Sequence, residues 1–164
     1  MDEEVKKLVE RLELKAHPEG GFFKETYRAK YGYPSLPDLG MDSFRNFSTA
    51  IYFLLLKDNF SAFHRIRQDE TWHFYAGSPL VIHMLSEETG YSSFHLGNDL
   101  AAGEHFQCTV PARVWFASET LGSYGLAGCT VAPGFDFRDF EMAERSALIE
   151  AFPTHQTLIE RLTR

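Results

Sequence analysis

The stretch FHRIRQDETWHFYAG, residues 63–77, decides how this chain is expected to fold. It reads as two strands separated by a turn at residues 68–69, because apolar and polar residues alternate on both sides of the turn. Successive side chains of a strand point to opposite faces, so His64 and Ile66 share one face and Arg65 lies on the other. Because the arginine face is expected to meet water or a partner, His64 is predicted to point into the interior.

The second strand of this stretch carries an acid that is predicted to face the same interior. Glu70, Trp72 and Phe74 share one face of that strand, while His73 lies on the opposite face. A buried carboxylate is costly unless it is paired, so Glu70 is expected to meet His64 inside the fold. Two interpretations follow: a catalytic pair in which His64 is the base and Glu70 orients it, or a purely structural ion pair or hydrogen bond.

A metal site is the alternative use of such residues. Zinc or iron requires at least three protein ligands, and His64 and Glu70 supply two. His73 would become a third only if a β-bulge turned it inward, and His83 and His105 are expected to be ordinary packed or surface histidines. The sequence therefore predicts no metal and no other cofactor.

Composition narrows the classes of protein that this chain can represent. Of its 164 residues 15% are aromatic, which favours a β-rich fold, and a net charge of −7 argues against nucleic-acid binding. No apolar run is long enough to span a membrane, and residues 1–7 are charged where a signal peptide would be apolar, so a cytoplasmic protein is expected. In a reducing compartment Cys108 and Cys129 are expected to be buried thiols.

Short segments with strand character follow one another at regular spacing, as in a β-sandwich or barrel. They are residues 22–29, 47–56, 61–67, 70–76, 80–86, 91–96, 105–110, 114–118 and 123–132. Helices are predicted at residues 2–13, 139–151 and 154–162, and a long polar loop at 30–45. The expected architecture is all-β with short helices at both ends, in one domain spanning residues 1–164.

Two motifs in this pattern resemble those of the cupins. His64, Glu70 and Gly77 match the first cupin motif, although Ile66 stands where that motif has a second histidine. Residues 103–116, GEHFQCTVPARVWF, match the second motif through Pro111. There Arg113 replaces the usual glycine, and Phe116 stands in the place of the metal-binding histidine. Both motifs thus lack a metal ligand, in agreement with the prediction of no metal.

The chain resembles one branch of the cupins in particular, the DUF985 or cupin-5 family. The resembling segments are residues 17–21 (HPEGG), 25–28 (ETYR), 48–55 (STAIYFLL), 64–77, 128–137 (GCTVAPGFDF) and 139–141 (DFE). This resemblance implies a double-stranded β-helix, or jelly roll, that is commonly dimeric and is similar in shape to sugar epimerases. It implies no particular reaction, since one fold hosts many functions. Arg113 and Phe116 depart from the Gly and Gln that are more usual in this family.

Two functions are compatible with these residues. The first is a metal-independent isomerase or epimerase that acts on a sugar derivative or a small organic acid, with His64 as the base. The second is a non-catalytic protein that binds or senses a small ligand in the barrel. Candidate pocket residues in either case are Thr49, Tyr52, Trp72, His73 and Gln107. Epimerisation also needs a second proton donor, for which Tyr52 and Tyr75 are the candidates.

A homodimer is expected as well. The strand face that carries Phe63 and the apolar run at residues 50–56 offer more apolar surface than one small barrel needs. Most oligomers have two-fold symmetry, and the family resemblance also implies a dimer.

Overall fold

The computed structural model describes residues 3–164, which form three α-helices and a set of antiparallel strands. The helices are α1 (Glu3–Arg11), α2 (Arg145–Ala151) and α3 (Gln156–Arg161). The strands are β1 (Lys15–Ala16), β2 (Phe22–Arg28), β3 (Gly32–Tyr33), β4 (Arg45–Asn46), β5 (Thr49–Leu56), β6 (Phe60–Arg65), β7 (Asp69–Gly77), β8 (Leu80–Ser86), β9 (Gly90–Leu96), β10 (Gln107–Val110), β11 (Trp115–Thr120), β12 (Tyr124–Ala132) and β13 (Glu141–Met142).

The strands form two sheets that pack face to face, and a small hairpin of β3 and β4. The large sheet has the order β1-β2-β5-β12-β7-β10, and the small sheet has the order β13-β6-β11-β8-β9. Because β6 and β7 follow each other in the chain but belong to opposite sheets, the segment at residues 63–77 crosses from one wall to the other. The predicted jelly-roll fold is confirmed.

The core lies between the two sheets and explains why aromatic residues are so frequent. Phe53 and Trp72 of the large sheet pack against Ile82 and Phe116 of the small sheet, and all four side chains are almost fully buried. The ring centroids of Phe53 and Trp72 lie 5.4 Å apart at nearly a right angle, a favourable edge-to-face contact. These large side chains fill most of the barrel. A narrow pocket remains near the end of β6 and the start of β7.

The helices cover Phe63 and part of the apolar run at residues 50–56, the two surfaces on which the homodimer expectation was based. Phe63, on the outer face of the small sheet, is completely buried by α2 and α3 through Phe152 and Ile159. Leu54, on the outer face of the large sheet, packs with Val5 of α1. The surface argument was therefore wrong, because the chain's own ends bury these residues, and the dimer itself stays a prediction. No helix among residues 3–164 combines the length and apolar character needed to cross a membrane.

Predicted segment boundaries differ most after β12. The helix predicted at 139–151 begins only at Arg145, where the Glu144 carboxylate accepts hydrogen bonds from two backbone N–H groups as an N-cap. Residues 137–139 form instead a single 3₁₀ turn, and β13 then pairs with β6 so that Met142 lies opposite His64. Phe137 of the 3₁₀ turn lines the pocket. Residue 2 of the predicted N-terminal helix lies outside the described residues.

Candidate active site

The pocket lies between the sheets and has mainly aromatic and aliphatic walls. Its cavity volume is about 60 Å³, which is room for a few water molecules or for one end of a small ligand. Its lining residues are His17, Glu19, Phe23, Glu25, Thr49, Ile51, Phe53, His64, Glu70, Trp72, Cys129, Val131, Phe135 and Phe137. Half of these residues are polar or ionisable, so a mainly apolar pocket surface carries a cluster of groups that can orient a small molecule.

His64 is held in one orientation by the backbone of its own strand. Its side chain is 2% exposed, and its Nδ1 lies 2.7 Å from the carbonyl oxygen of Ala62. A carbonyl oxygen only accepts hydrogen bonds, so Nδ1 carries a proton and donates it. The other ring nitrogen, Nε2, lies 3.0 Å from Oε2 of Glu19. At this distance a proton must lie between the two atoms, either as neutral imidazole with a carboxylic acid or as imidazolium with a carboxylate.

Glu19 reaches His64 because a glycine-rich turn presses residues 17–21 against β6. Gly20 has φ +114°, and a Cβ there would lie 2.0 Å from the carbonyl oxygen of Phe60, so no other residue fits this close approach. The Glu19 carbonyl accepts a backbone hydrogen bond from Ala62 at 2.8 Å, and its Oε1 accepts one from the Ser61 hydroxyl at 2.8 Å. Glu19 is thus fixed at both its backbone and its side chain.

Burial decides where the shared proton resides. It raises the pKa of Glu19 well above its usual value, and the nearby charge of Glu70 raises that pKa further. Burial also lowers the pKa of His64 to about 3. Both shifts favour the neutral pair, in which the protonated Glu19 donates to Nε2 of His64. His17 is also neutral, because burial lowers its pKa to about 4.

Glu70 faces the same pocket from the large sheet. Burial raises its pKa to about 7, an effect only partly offset by the Cys129 thiol and the Trp72 indole beside it. A carboxyl group with this pKa is close to half ionised at neutral pH, which suits a group that gives and takes protons. The indole Nε1–H of Trp72 lies buried beside Glu70 and makes no well-formed hydrogen bond within residues 3–164.

The structure brings some of the predicted site residues to this pocket and leaves others outside. His64, Glu70, Trp72 and Thr49 line it, although the Thr49 hydroxyl already accepts a hydrogen bond from the Phe135 N–H at 2.9 Å. The carboxyl partner of His64 is Glu19, so the prediction that Glu70 orients His64 was wrong. The alternation of side chains along a strand correctly predicted that His64 and Glu70 point inward. It could not predict that Glu19, from a turn far away in the chain, would contact His64.

Tyr52, His73 and Gln107 lie on the outer face of the large sheet. His73 is hydrogen-bonded to the Thr130 hydroxyl at 2.9 Å and pairs across the sheet with the exposed Gln107. Tyr52 packs against Tyr75, with ring centroids 5.9 Å apart. The irregularity between β7 and β12 falls at Tyr75, beyond His73, so it does not turn the histidine inward. Neither tyrosine reaches the pocket as the second proton donor.

Sequence reasoning missed His17 and Glu19 as site residues. They lie in the turn between β1 and β2, where neither helical nor strand periodicity predicts the direction of a side chain. The available signal was a His and a Glu two residues apart, directly before a glycine pair that permits close backbone approach. That signal indicates a tightly packed turn but does not identify the strand on which it packs.

The residues of this pocket do not fit a tightly bound transition metal. Within residues 3–164 no group of three or more His, Cys, Asp or Glu side chains is arranged to hold a metal ion. The phenyl ring of Phe116, which takes the place of a ligand in the second motif, lies 4.1 Å from the His64 ring and offers no donor atom. Cys129 is buried and its pKa is raised by burial, which disfavours the thiolate that a metal requires.

Metal analysis of the protein, purified without chelator, is therefore expected to find iron, zinc, nickel and manganese only far below stoichiometric amounts. The measurement is elemental analysis of wild type, His64→Ala and His73→Ala. The prediction fails if the wild type carries a stoichiometric metal that is lost in His64→Ala and kept in His73→Ala.

The two-sheet jelly roll with a small pocket between its sheets is the architecture of a cupin. A family model described as Cupin superfamily (DUF985) matches residues 6–143, and the chain belongs to this family. An uncharacterised protein of Saccharomyces cerevisiae is 31% identical over 156 residues, covering 82% of this chain and 73% of the yeast protein. The family resemblance seen in the sequence is thereby confirmed.

Solved structures agree with this assignment. A hypothetical protein from Leishmania major is 31% identical, with a TM-score of 0.88 over 96% of this chain and 97% of the other. A protein from Shewanella oneidensis is 39% identical, with a TM-score of 0.87 over 97% of this chain and 96% of the other.

Proposed function

We propose that this cupin binds a small, uncharged hydroxy-carbonyl compound of the sugar type and isomerises it by proton transfer. The observation that carries the proposal is the buried contact of 3.0 Å between His64 Nε2 and Glu19, which holds one proton at the wall of the pocket. Glu70, from the opposite sheet, supplies a second group whose pKa is about 7. Two proton-carrying groups on opposite walls are what an isomerase requires.

The pKa values assign the two roles. The lone pair of His64 Nε2 is engaged by the Glu19 proton, so the base role expected for His64 passes to Glu70. Its carboxylate removes the proton from the carbon next to the carbonyl, while the Glu19–His64 pair gives its proton to the carbonyl oxygen, and an enediol results. Glu70 then returns the proton to the neighbouring carbon, and the pair takes one back from the other hydroxyl. No co-reactant is consumed.

The lining of the pocket favours an uncharged substrate over an organic acid. It contains the carboxyl groups of Glu19, Glu25 and Glu70 and, within the described chain, no lysine or arginine that would pair with a substrate carboxylate. An anion would therefore be desolvated without compensation. The aromatic walls supply apolar faces for the C–H groups of a sugar-like molecule, and the unpartnered Trp72 indole supplies a donor for one of its oxygens.

The second candidate is a non-catalytic binding or sensor protein. The specific observation in its favour is that neither Tyr52 nor Tyr75, the candidates for the second proton donor of an epimerase, lines the pocket. In that case the Glu19–His64 pair and the Trp72 indole only orient a bound ligand.

Deuterium exchange in D₂O distinguishes these functions. Neutral aldoses, ketoses and small hydroxyketones are incubated with the protein, and incorporation at the carbon next to the carbonyl is followed by proton NMR. We expect exchange with the wild type, and rates about 10²–10⁴-fold lower in Glu70→Gln and His64→Ala. The matched control is His73→Ala. His73 lies on the same strand as Glu70 but on the outer face of the large sheet, so this variant should exchange at the wild-type rate.

Thermal-shift measurements with the same compounds complete the experiment. A compound that stabilises the wild type and is never exchanged supports the binding protein and rejects the isomerase. A compound that stabilises the wild type, Glu70→Gln and His64→Ala equally shows that the site lies elsewhere and rejects both functions.

A further inference from the structure

A second cleft, separate from the pocket, contains an unusual number of arginines for a chain with a net charge of −7. It lies where the loop after the 3₁₀ turn at Pro37–Leu39, the end of β6 and the second cupin motif meet. Its lining residues are Gly40, Asp42, Arg65, Ile66, Arg67, Arg113, Arg138, Asp139, Phe140 and Glu141. We propose that this cleft binds a phosphate group, free or esterified, between Arg67 and Arg113.

Two of the four arginines are already neutralised. Arg65 donates to the Glu141 carboxylate at 2.8 Å, and its guanidinium lies 4.2 Å from the centre of the Trp115 ring. Arg138 forms an ion pair with Asp136 at 2.7 Å. These two pairs frame the cleft but leave little charge for a ligand.

Arg67 and Arg113 lack such a partner. Arg67 makes only a long ion pair with Asp139, with 4.0 Å between Nε and Oδ1, and both oxygens of that carboxylate already accept hydrogen bonds from Arg45 at 2.7 Å. Arg113 has no ion pair among the described residues, and its guanidinium donates only to the carbonyl oxygen of Leu39 at 3.1 Å. Asp42 is the remaining acid in the lining, so the cleft keeps an excess of positive charge.

The two free guanidinium groups converge on one point. A Cβ placed on Gly40 would lie 3.2 Å from a terminal nitrogen of Arg67 and 3.6 Å from one of Arg113. Two cations that approach the same glycine repel each other, and an anion between them removes that repulsion. The absence of a side chain at Gly40 leaves room for the anion at this point.

The backbone of Arg113 provides an independent observation. Its φ is +65°, in the left-handed region that residues with a side chain rarely adopt and that glycine adopts readily. This is also the position at which the second cupin motif usually has glycine. The chain therefore places a long cationic side chain at a position where its backbone would favour glycine.

Phosphate is the anion that fits these groups best. Guanidinium groups bind phosphate oxygens through paired, charge-assisted hydrogen bonds, and a phosphate group has enough oxygens to accept from both arginines at once. The inference does not depend on the isomerase proposal, since the cleft and the pocket share no lining residue.

Titration with inorganic phosphate, followed by ³¹P NMR and thermal shift against chloride at equal ionic strength, tests the proposal. We expect phosphate to stabilise the wild type, and Arg67→Ala and Arg113→Gly each to bind it about tenfold or more weakly. Arg11→Ala, an exposed arginine on α1, is the control and should bind as the wild type does. Parallel titration with glycerol 3-phosphate distinguishes free from esterified phosphate, and binding of either that is lost in both variants supports the site.

Arg113→Gly separates binding from folding. Glycine suits the backbone at this position, so in the absence of phosphate this variant should be at least as stable as the wild type. The proposal is overturned if phosphate stabilises the wild type no more than chloride does, or if Arg67→Ala and Arg113→Gly bind phosphate as tightly as Arg11→Ala. It is also overturned if Arg113→Gly is markedly destabilised without phosphate, because Arg113 would then serve the fold.

Discussion

Asp139→Ala is expected to lower the free energy of unfolding by about 3–5 kcal/mol. The Asp139 side chain is 0% exposed and that of its partner Arg45 is 4% exposed. The carboxylate accepts two hydrogen bonds from Arg45 at 2.7 Å and one from the Gln68 amide at 2.8 Å. Alanine would leave a buried guanidinium without a counter-ion, and this uncompensated charge accounts for the size of the effect.

Urea denaturation of matched variants measures this loss. Glu141→Ala is the control, because it breaks the solvent-exposed ion pair with Arg65 in the same part of the chain. Exposed pairs contribute about 0–1 kcal/mol, so the control should unfold close to the wild type. Equal losses of unfolding free energy in the two variants would contradict the prediction, because the buried ion pair would then contribute no more to stability than the exposed one.

Asp139 also matters for the pocket. It lies in the segment that carries Phe137 and Phe140, whose rings lie 5.9 and 6.1 Å from the His17 ring. The buried ion pair holds this segment against β4 and so keeps the aromatic wall closed.

Glu70→Gln is expected to remove a pH dependence of stability worth ~3 kcal/mol. The pKa of Glu70 is about 7 in the folded protein, whereas the ordinary value of a glutamate, taken for the unfolded chain, is 4.5. The folded state therefore binds the proton more tightly than the unfolded state does. The stabilisation is fully present below pH ~4.5 and is lost as the pH rises through 7. Glutamine does not titrate, so the variant should gain stability relative to the wild type over this range.

The measurement is the difference in unfolding free energy between Glu70→Gln and wild type at several pH values from 4 to 8. His17 and His64 act in the opposite direction, since their lowered pKa values remove stability as the pH falls below 6.5. Both histidines are present in wild type and variant, so their contributions cancel in the difference. Glu10→Gln, which removes an exposed carboxyl on α1, is the matched control. A flat difference for Glu70→Gln itself would show that Glu70 is not a buried, titrating group.

Several features of the site were predictable because they depend on local geometry. A period of two along a strand places His64, Glu70 and Trp72 on inward faces, and the structure has all three at the pocket. The same rule places His73 outside, where it is found. The jelly roll was predictable from regularly spaced strands and two motifs, because turns and alternation are encoded within a few residues of one another.

Tertiary structure alone decided which groups meet. Glu19 and His64 are separated by 45 positions, and the turn that carries Glu19 finds its place by packing on β6 and by the fit of Gly20 against Phe60. The arginine cleft likewise joins residues from separate loops, and the burial of Phe63 required α2 and α3 to fold back over the small sheet. Alternation along a strand determines which way a side chain points, whereas its partner and its pKa depend on long-range packing and desolvation, which no local pattern contains.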